Sequence, residues 1–178
     1  MTTADTTPTT KPKANWRFMS LHPAHLLAFG FGSGVSPFMP GTMGTLLAWA
    51  SFSLYSLQWP DIFTPLAWGI IIIVGFIIGV WASDVAGKNL GIPDHGSIVI
   101  DEIIAFWLVL LFLWPADFTT QALAFIIFRF FDIVKPQPIR YFDETIKGGL
   151  GVMVDDIGAA FYTLLVFALW QAISVQLF

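Results

Sequence analysis

Five runs of apolar residues alternate with polar segments along this chain, at about residues 46–57, 62–82, 103–114, 118–131 and 157–178. Only the second and the last reach the roughly 20 residues that cross a bilayer as a helix. The first run gains length if its helix begins near Thr42, the third if it begins near Ser97, and the fourth if it continues to Val134. The pattern predicts an all-α, polytopic membrane protein of about five hydrophobic helices, with its polar loops gathered on one face.

The distribution of positive charge selects a topology for these helices. Five spans with a cytoplasmic N-terminus would put all eight basic residues on the cytoplasmic side: Lys11, Lys13, Arg17, Lys88, Arg129, Lys135, Arg140 and Lys147. The turns on the other side, at residues 58–61 and 115–117, contain none, as the positive-inside rule requires. A single crossing over residues 103–131 would instead place four basic residues outside. We therefore expect five spans, with the N-terminus in the cytoplasm.

Composition supports a membrane protein and excludes several chemistries. The chain has 178 residues, of which 56% are hydrophobic and 11% charged, and its mean hydropathy is +0.75. A globule of this size could not bury so much apolar surface. The absence of cysteine excludes disulfides, thiolate metal sites and cysteine nucleophiles. The net charge of -4 argues against a nucleic-acid partner, and nothing in the sequence identifies a protein partner.

The N-terminal segment has a different composition from the rest of the chain. Residues 1–15 are polar and rich in Thr and Pro, and they lack the apolar core of a signal peptide. We expect residues 1–15 to be a disordered tail and residues 16–178 to form a single helical membrane domain.

Nine of the twelve acidic residues fall on the predicted cytoplasmic face: Asp84, Asp94, Asp101, Glu102, Asp132, Asp143, Glu144, Asp155 and Asp156. Ionisable groups at the edge of hydrocarbon are costly and usually functional. Without cysteines or a histidine cluster, a metal here would have oxygen ligands, which favours a hard ion such as Mg²⁺. Adjacent carboxylates on a helix point about 100° apart, so we expect only one of each adjacent pair to bind one ion. Favourable placement at helix N-termini is the alternative explanation.

A glycine-rich segment, residues 29–45, precedes the first predicted helix and contains four hydroxyl side chains: Ser33, Ser36, Thr42 and Thr45. Free backbone N–H groups before a helix can bind an anion. A turn that allows close helix approach would have the same composition. The segment is neither a Walker A loop nor a dinucleotide fingerprint, since it lacks the Gly-Lys-Ser/Thr and the preceding strand.

Arg129, Asp132 and Lys135 are spaced to form one stripe if their helix continues. Basic side chains beside carboxylates suit a phosphate group, and an ion-paired stripe that anchors the helix is the alternative. His95 could exchange protons near neutral pH or form a hydrogen bond within its loop.

Four segments, taken together and in this order, resemble the phosphatidylglycerophosphatase A family of bacterial inner-membrane lipid phosphatases: FGSGVSPFMPGTMGT, DHGSIVIDE, FRFFDIVKPQPIRYFD and GGLGVMVDDI. The likeness covers about residues 22–162. It departs at Ile100 and Ala105, packing positions where the family often has Trp and Gly. The resemblance implies Mg²⁺-dependent hydrolysis of phosphatidylglycerophosphate to phosphatidylglycerol and inorganic phosphate in phospholipid synthesis. The distribution of basic residues places the expected site on the cytoplasmic face.

On this basis each matching residue receives an expected role. The expected metal ligands are Asp101, Glu102, Asp132, Asp155 and Asp156. The expected catalytic residues are Asp101, Glu102, Asp132 and His95. The expected phosphate-binding residues are Arg129 and Lys135, and Asp94 is a further candidate. The composition of the glycine-rich segment adds its hydroxyl residues as expected phosphate ligands: Ser33, Ser36, Thr42 and Thr45. The nucleophile could be water or a carboxylate.

Two other functions remain as alternatives. A related enzyme could act on another lipid phosphate such as phosphatidic acid. A membrane transporter would instead place ionisable residues near the middle of its spans.

Overall fold

The computed structural model describes residues 12–177, apart from the side chains of residues 142, 143 and 175–177. These residues form helices without any strand: α1 Trp16–Met19, α2 Pro23–Ala28, a 3-10 helix Gly30–Val35, α3 Pro40–Gln58, α4 Pro65–Leu90, α5 Ile100–Phe112, α6 Phe118–Val134, α7 Ile139–Thr145 and α8 Gly149–Leu177. The all-helical prediction is confirmed, and α3, α4, α5, α6 and α8 contain the five apolar runs. Residues 1–11 of the predicted tail lie outside the described residues.

The ends of the long helices follow local capping chemistry. The Thr64 side chain accepts a hydrogen bond from the Ala67 N–H at the start of α4, and that of Asp117 accepts one from Thr120 at the start of α6. Helix α4 ends at Gly91, whose left-handed backbone (φ 70°) suits glycine. Helix α6 ends at Val134, the boundary predicted from the sequence.

Helix α8 begins eight residues before its apolar run. The glycine-rich sequence GGLG, residues 148–151, predicts a loop, but this prediction is wrong because Gly149 to Gly151 form the first turn of α8. The reason is helix packing. A Cβ atom on Gly149 would lie 1.9 Å from the carbonyl oxygen of Val80 on α4. The missing side chain of Gly149 therefore allows α8 to begin in close contact with α4.

Helix α5 is the centre of the bundle and packs against α3, α4, α6 and α8. Nine of its 13 residues are buried, including Asp101 and Glu102 in its first turn. Burial on all sides explains why its sequence is apolar without a clear polar face. Two acidic residues at one end of such a helix are therefore held inside the protein.

Two helices of the described chain are long and apolar enough to cross a bilayer: Pro65–Leu90 and the Gly149–Ser174 part of α8. Helix α5, with 13 residues, is about 20 Å long, shorter than the roughly 30 Å hydrocarbon core. These two helices support membrane insertion, and the count of five spans stays a prediction.

The polar ends of four helices meet on one side of the bundle. These are the N-terminal ends of α3, α5 and α8 and the C-terminal end of α6, which all contribute residues to one cavity together with the loop before α5. That loop is anchored by a hydrogen bond of 2.8 Å from the Val99 N–H to the Ala28 carbonyl oxygen. The topology thus brings together acidic residues that are far apart in sequence.

Candidate active site

The cavity between these helix ends has a volume of about 420 Å³ and a strongly acidic wall. Its charged residues are Asp94, Asp101, Glu102, Arg129, Asp132, Lys135, Asp155 and Asp156. Six carboxylates against two basic side chains leave a large excess of negative charge. Such a cavity favours a bound cation, and a phosphate could enter only with cations beside it.

At the bottom of the cavity, Asp101, Glu102 and Asp156 each offer one carboxylate oxygen, and the three atoms lie within 4.8 Å of one another. All three residues are buried. Asp101 Oδ1, Glu102 Oε2 and Asp156 Oδ2 have no hydrogen-bond partner within the described part of the chain. Buried carboxylate oxygens are costly unless a donor or a cation compensates them. We call these three residues the carboxylate group, and its all-oxygen donors fit a hard metal ion.

Only one carboxylate of each adjacent pair is expected to contribute to one ion site. This expectation is wrong for Asp101 and Glu102, and it fits Asp155 and Asp156. Asp101 and Glu102 both join the carboxylate group. The extra methylene of Glu102 lets its carboxylate reach back over the 100° between neighbouring positions. On α8 only Asp156 joins, while Asp155 forms an ion pair with Lys135. Asp155 and Asp156 are the seventh and eighth residues of α8, so the helix dipole does not account for them.

Arg129 on α6 connects three elements at the edge of the carboxylate group. Its Nη1 lies 2.5 Å from Asp132 Oδ2 and 3.7 Å from Glu102 Oε1, and it donates to Thr45 Oγ1 at 3.4 Å. Its Nε is buried without a partner among the described residues. Asp132 lines the same cavity as Asp156. The guanidinium thus offsets part of the negative charge and keeps a donor near the cavity.

The expected stripe on α6 forms only in part. Arg129 and Asp132 make the predicted ion pair. Lys135, however, is the C-cap of α6 with a left-handed backbone (φ 44°), so it leaves the helical stripe and reaches α8. There its ammonium pairs with the buried Asp155.

The four hydroxyl residues of the glycine-rich segment do not line the cavity. Ser33 Oγ donates to the Gly30 carbonyl, and Ser36 Oγ donates to that of Phe38. Thr45 Oγ1 donates to the Gly41 carbonyl while it accepts from Arg129. Thr42 Oγ1 is buried without a partner in the described residues. Direct phosphate binding by these hydroxyls stays a prediction, and the contacts of Thr45 suggest that it positions Arg129.

Sequence reasoning missed the role of Gly41 at the start of α3. A Cβ atom there would lie 2.1 Å from Glu102 Oε1 and 3.0 Å from Arg129 Nη2. The missing side chain lets the N-terminal end of α3 reach the cavity wall, which it forms with Met39 and Pro40. Its partial positive charge favours anions there. Proline followed by glycine is the sequence signal, since proline is favoured at the first position of a helix.

The loop before α5 places its two predicted site residues differently. Asp94 is exposed and lines the cavity. His95 is not part of the cavity wall, and its Nδ1 accepts a hydrogen bond of 3.1 Å from the Ser97 N–H. This contact supports the second of the two expectations for His95, a hydrogen bond within its loop. A catalytic role of His95 stays a prediction.

Comparison with known proteins gives one consistent result. A family model described as phosphatidylglycerophosphatase A matches residues 26–171. An Escherichia coli K12 protein named phosphatidylglycerophosphatase A is 43% identical over 153 residues, which cover 85% of this chain and 86% of that protein. A Haemophilus influenzae protein of the same name is 41% identical over 150 residues, covering 82% and 87%.

A third relative has a different name. A Bacteroides thetaiotaomicron protein, named provisionally as a phosphatidylinositol-3-phosphatase, is 39% identical over 147 residues, covering 80% of this chain and 90% of that protein. No solved structure matches the chain significantly.

Proposed function

The chain belongs to the phosphatidylglycerophosphatase A family, and on this premise we propose that it hydrolyses phosphatidylglycerophosphate to phosphatidylglycerol and inorganic phosphate. The observation that carries the proposal is the carboxylate group, three buried acidic side chains with unpartnered oxygens. Beside it lie Arg129 and the N-terminal end of α3. A cation site next to anion-binding groups is an arrangement that can catalyse phosphate-ester hydrolysis.

We propose Mg²⁺ as the cofactor. Asp101, Glu102 and Asp156 would hold it, with Asp132 beside them, because all of these donors are oxygens and Mg²⁺ prefers carboxylates. When bound, the ion supplies Lewis-acid polarisation of the phosphoryl group. The carboxylate group fits such an ion because its inward oxygens lack other partners in the described chain.

The remaining residues orient the phosphate and offset its charge. Arg129, held by Asp132 and Thr45, presents its guanidinium to the phosphate oxygens. The first turn of α3 adds backbone N–H groups, and Lys135, held by Asp155, adds positive charge at the rim. In the overall reaction the bond from phosphorus to the glycerol oxygen breaks, water supplies a new P–O bond, and the glycerol oxygen takes up a proton.

We place the protein in the bacterial inner membrane as a multi-pass protein, with its cavity and N-terminus on the cytoplasmic side. The two long apolar helices support insertion. The collection of polar helix ends on one side of the bundle supports a cavity at the membrane surface. The positive-inside pattern supports the orientation.

The test is phosphate release by the purified protein in detergent micelles, with Mg²⁺ and with excess EDTA. Phosphatidylglycerophosphate is compared with phosphatidic acid and phosphatidylinositol 3-phosphate at equal surface concentration. We expect release from phosphatidylglycerophosphate that EDTA abolishes and added Mg²⁺ restores. No release from any lipid, by protein shown to be folded, would refute the proposal.

A second candidate is a phosphatase for another lipid phosphate. The Bacteroides relative favours it, since this chain is 39% identical to a protein whose name gives a different lipid phosphate as substrate. Preferential release from phosphatidic acid or phosphatidylinositol 3-phosphate would select this alternative. The transporter alternative is weaker, because the charged residues of α4 and α8 lie near helix ends, as at Asp84, Lys88, Asp155 and Asp156.

A further inference from the structure

A second cavity, of about 640 Å³, lies between the later part of α3, the end of α5 and the start of α6. Its wall is mainly apolar and includes Leu46, Ala50, Leu110 and Phe118. At one side the Trp49 indole N–H donates to Gln121 Oε1 at 2.6 Å, which satisfies the polar groups there. The cavity is suited to an apolar occupant.

Residues of both α3 and α6 line this apolar cavity and the acidic cavity. The acidic cavity is lined by Gly41 in the first turn of α3 and by Met39, the residue before the helix, whereas Leu46, Ala50 and Leu57 of the same helix line the apolar cavity. Spacings of four and seven residues place these three apolar residues on one face of α3. Met39, Leu46 and Leu57 are all exposed, and α3 contains no charged residue between Pro40 and Gln58.

Helix α6 lies beside α3 and runs in the opposite direction. Gln121 lines the apolar cavity, while Arg129 and Asp132 line the acidic one. Between them Phe125 stacks on Trp49 of α3, with ring centroids 5.7 Å apart. We call the exposed surface between these two helices the α3–α6 groove.

We propose that the α3–α6 groove holds an acyl chain of the phospholipid substrate, an inference that rests on the proposed function. Gly41 and Ala50 are about 14 Å apart along α3, at 1.5 Å per residue. One leaflet of the hydrocarbon core is about 15 Å thick. If the head group lies along the membrane surface with its terminal phosphate in the acidic cavity, the acyl chains begin near the level of Gly41 and extend to about that of Ala50.

The two ends of the groove define the chemistry of its occupant. The occupant must be apolar over most of its length and must end in an anionic group beside Arg129. A phospholipid with a terminal phosphate meets both conditions. The groove would orient the lipid so that its phosphate enters the acidic cavity from the side of the bundle.

The test fills the groove without touching the acidic cavity. In Ala50→Trp, the indole would occupy the space expected for the distal part of a chain. The variant and the wild-type protein are compared on dipalmitoyl and dihexanoyl phosphatidylglycerophosphate, since a six-carbon chain is too short to reach Ala50. We expect kcat/KM for the long lipid to fall about tenfold, equivalent to about 1.4 kcal/mol, with little change for the short lipid.

Leu54→Trp is the matched control. Leu54 lies one turn further along the same helix and is exposed, but it does not line the apolar cavity. We expect the control to keep the wild-type ratio between the two lipids. If Ala50→Trp does not fold, Ser53→Trp fills the same wall.

Three results would overturn the inference while phosphatase activity itself persists: an unchanged ratio in the groove variant, an equal loss on both lipids, or the same loss in the control. If the wild-type protein released phosphate from neither lipid, the proposed function would fail first and the inference with it.

Discussion

Replacing Gly41 with alanine should change the position of a side chain in the site while leaving the fold intact. The new Cβ atom would lie 2.1 Å from Glu102 Oε1, whereas ordinary contact begins at 3.4 Å. Glu102 Oε1 must therefore move by about 1.3 Å. It is the far end of a flexible side chain, so the fold can accommodate the change. Alanine also has a higher helix propensity than glycine, by up to roughly 0.5–1 kcal/mol in a helix interior, although Gly41 lies in the first turn of α3.

The expected result of Gly41→Ala is a stable but impaired protein. Displacing a reactive-site group by about 1 Å can reduce the rate by about 100-fold. We expect kcat/KM for phosphate release to fall by about this factor, while the thermal unfolding temperature stays the same or rises. Phosphate release and thermal unfolding are measured on the same detergent preparation.

The chain offers a matched control in Gly69 on α4. A Cβ atom there meets no other atom within 4 Å, so Gly69→Ala changes a helical glycine without disturbing a neighbour. We expect wild-type activity from this variant. Wild-type kcat/KM in Gly41→Ala would show that Glu102 does not need its observed position, and the assignment of the site would then be wrong at that residue.

Three further predictions test the same site. Asp101→Asn should abolish turnover while the protein still inserts and folds; normal phosphate release would remove Asp101 from the site. Thr45→Val should lower kcat/KM several-fold because Arg129 loses a hydrogen bond. Thr45→Ser, which keeps the hydroxyl, should have kcat/KM close to wild type. If Thr45→Val had the same kcat/KM as the wild-type protein, Thr45 would have no positioning role. Lys135→Met should destabilise the fold by on the order of 3 kcal/mol, because buried Asp155 loses its ion pair. Adding Asp155→Asn should recover most of that loss in thermal unfolding.

The helices could be predicted from the sequence because apolar periodicity and capping act locally. The end of α6 at Val134 followed from the charged residue and prolines after it. The start of α8 did not, because the glycines around Gly149 resemble a loop until the close contact of Gly149 with α4 is known. Glycine supplies either flexibility or close packing, and only the neighbouring helix decides which of the two applies.

The candidate site also has features that the sequence predicted and contacts that only the structure shows. The sequence predicted oxygen ligands suited to a hard cation, with a basic partner beside them, since these predictions depend on residue type alone. It did not show that Glu102 joins Asp101, nor that Lys135 leaves its stripe for Asp155. These outcomes depend on side-chain reach and on the backbone conformation at one helix end.

The sequence by itself determined the helical class, the family and the residue types of the chemistry, because hydrophobic pattern and motif order are properties of the chain alone. Only the tertiary structure decided which acidic residues meet. Asp101 and Asp156 are separated by 55 positions in sequence, and their contact follows from packing α8 against α5. Long-range contacts of this kind depend on how whole helices fit together, which no local pattern specifies.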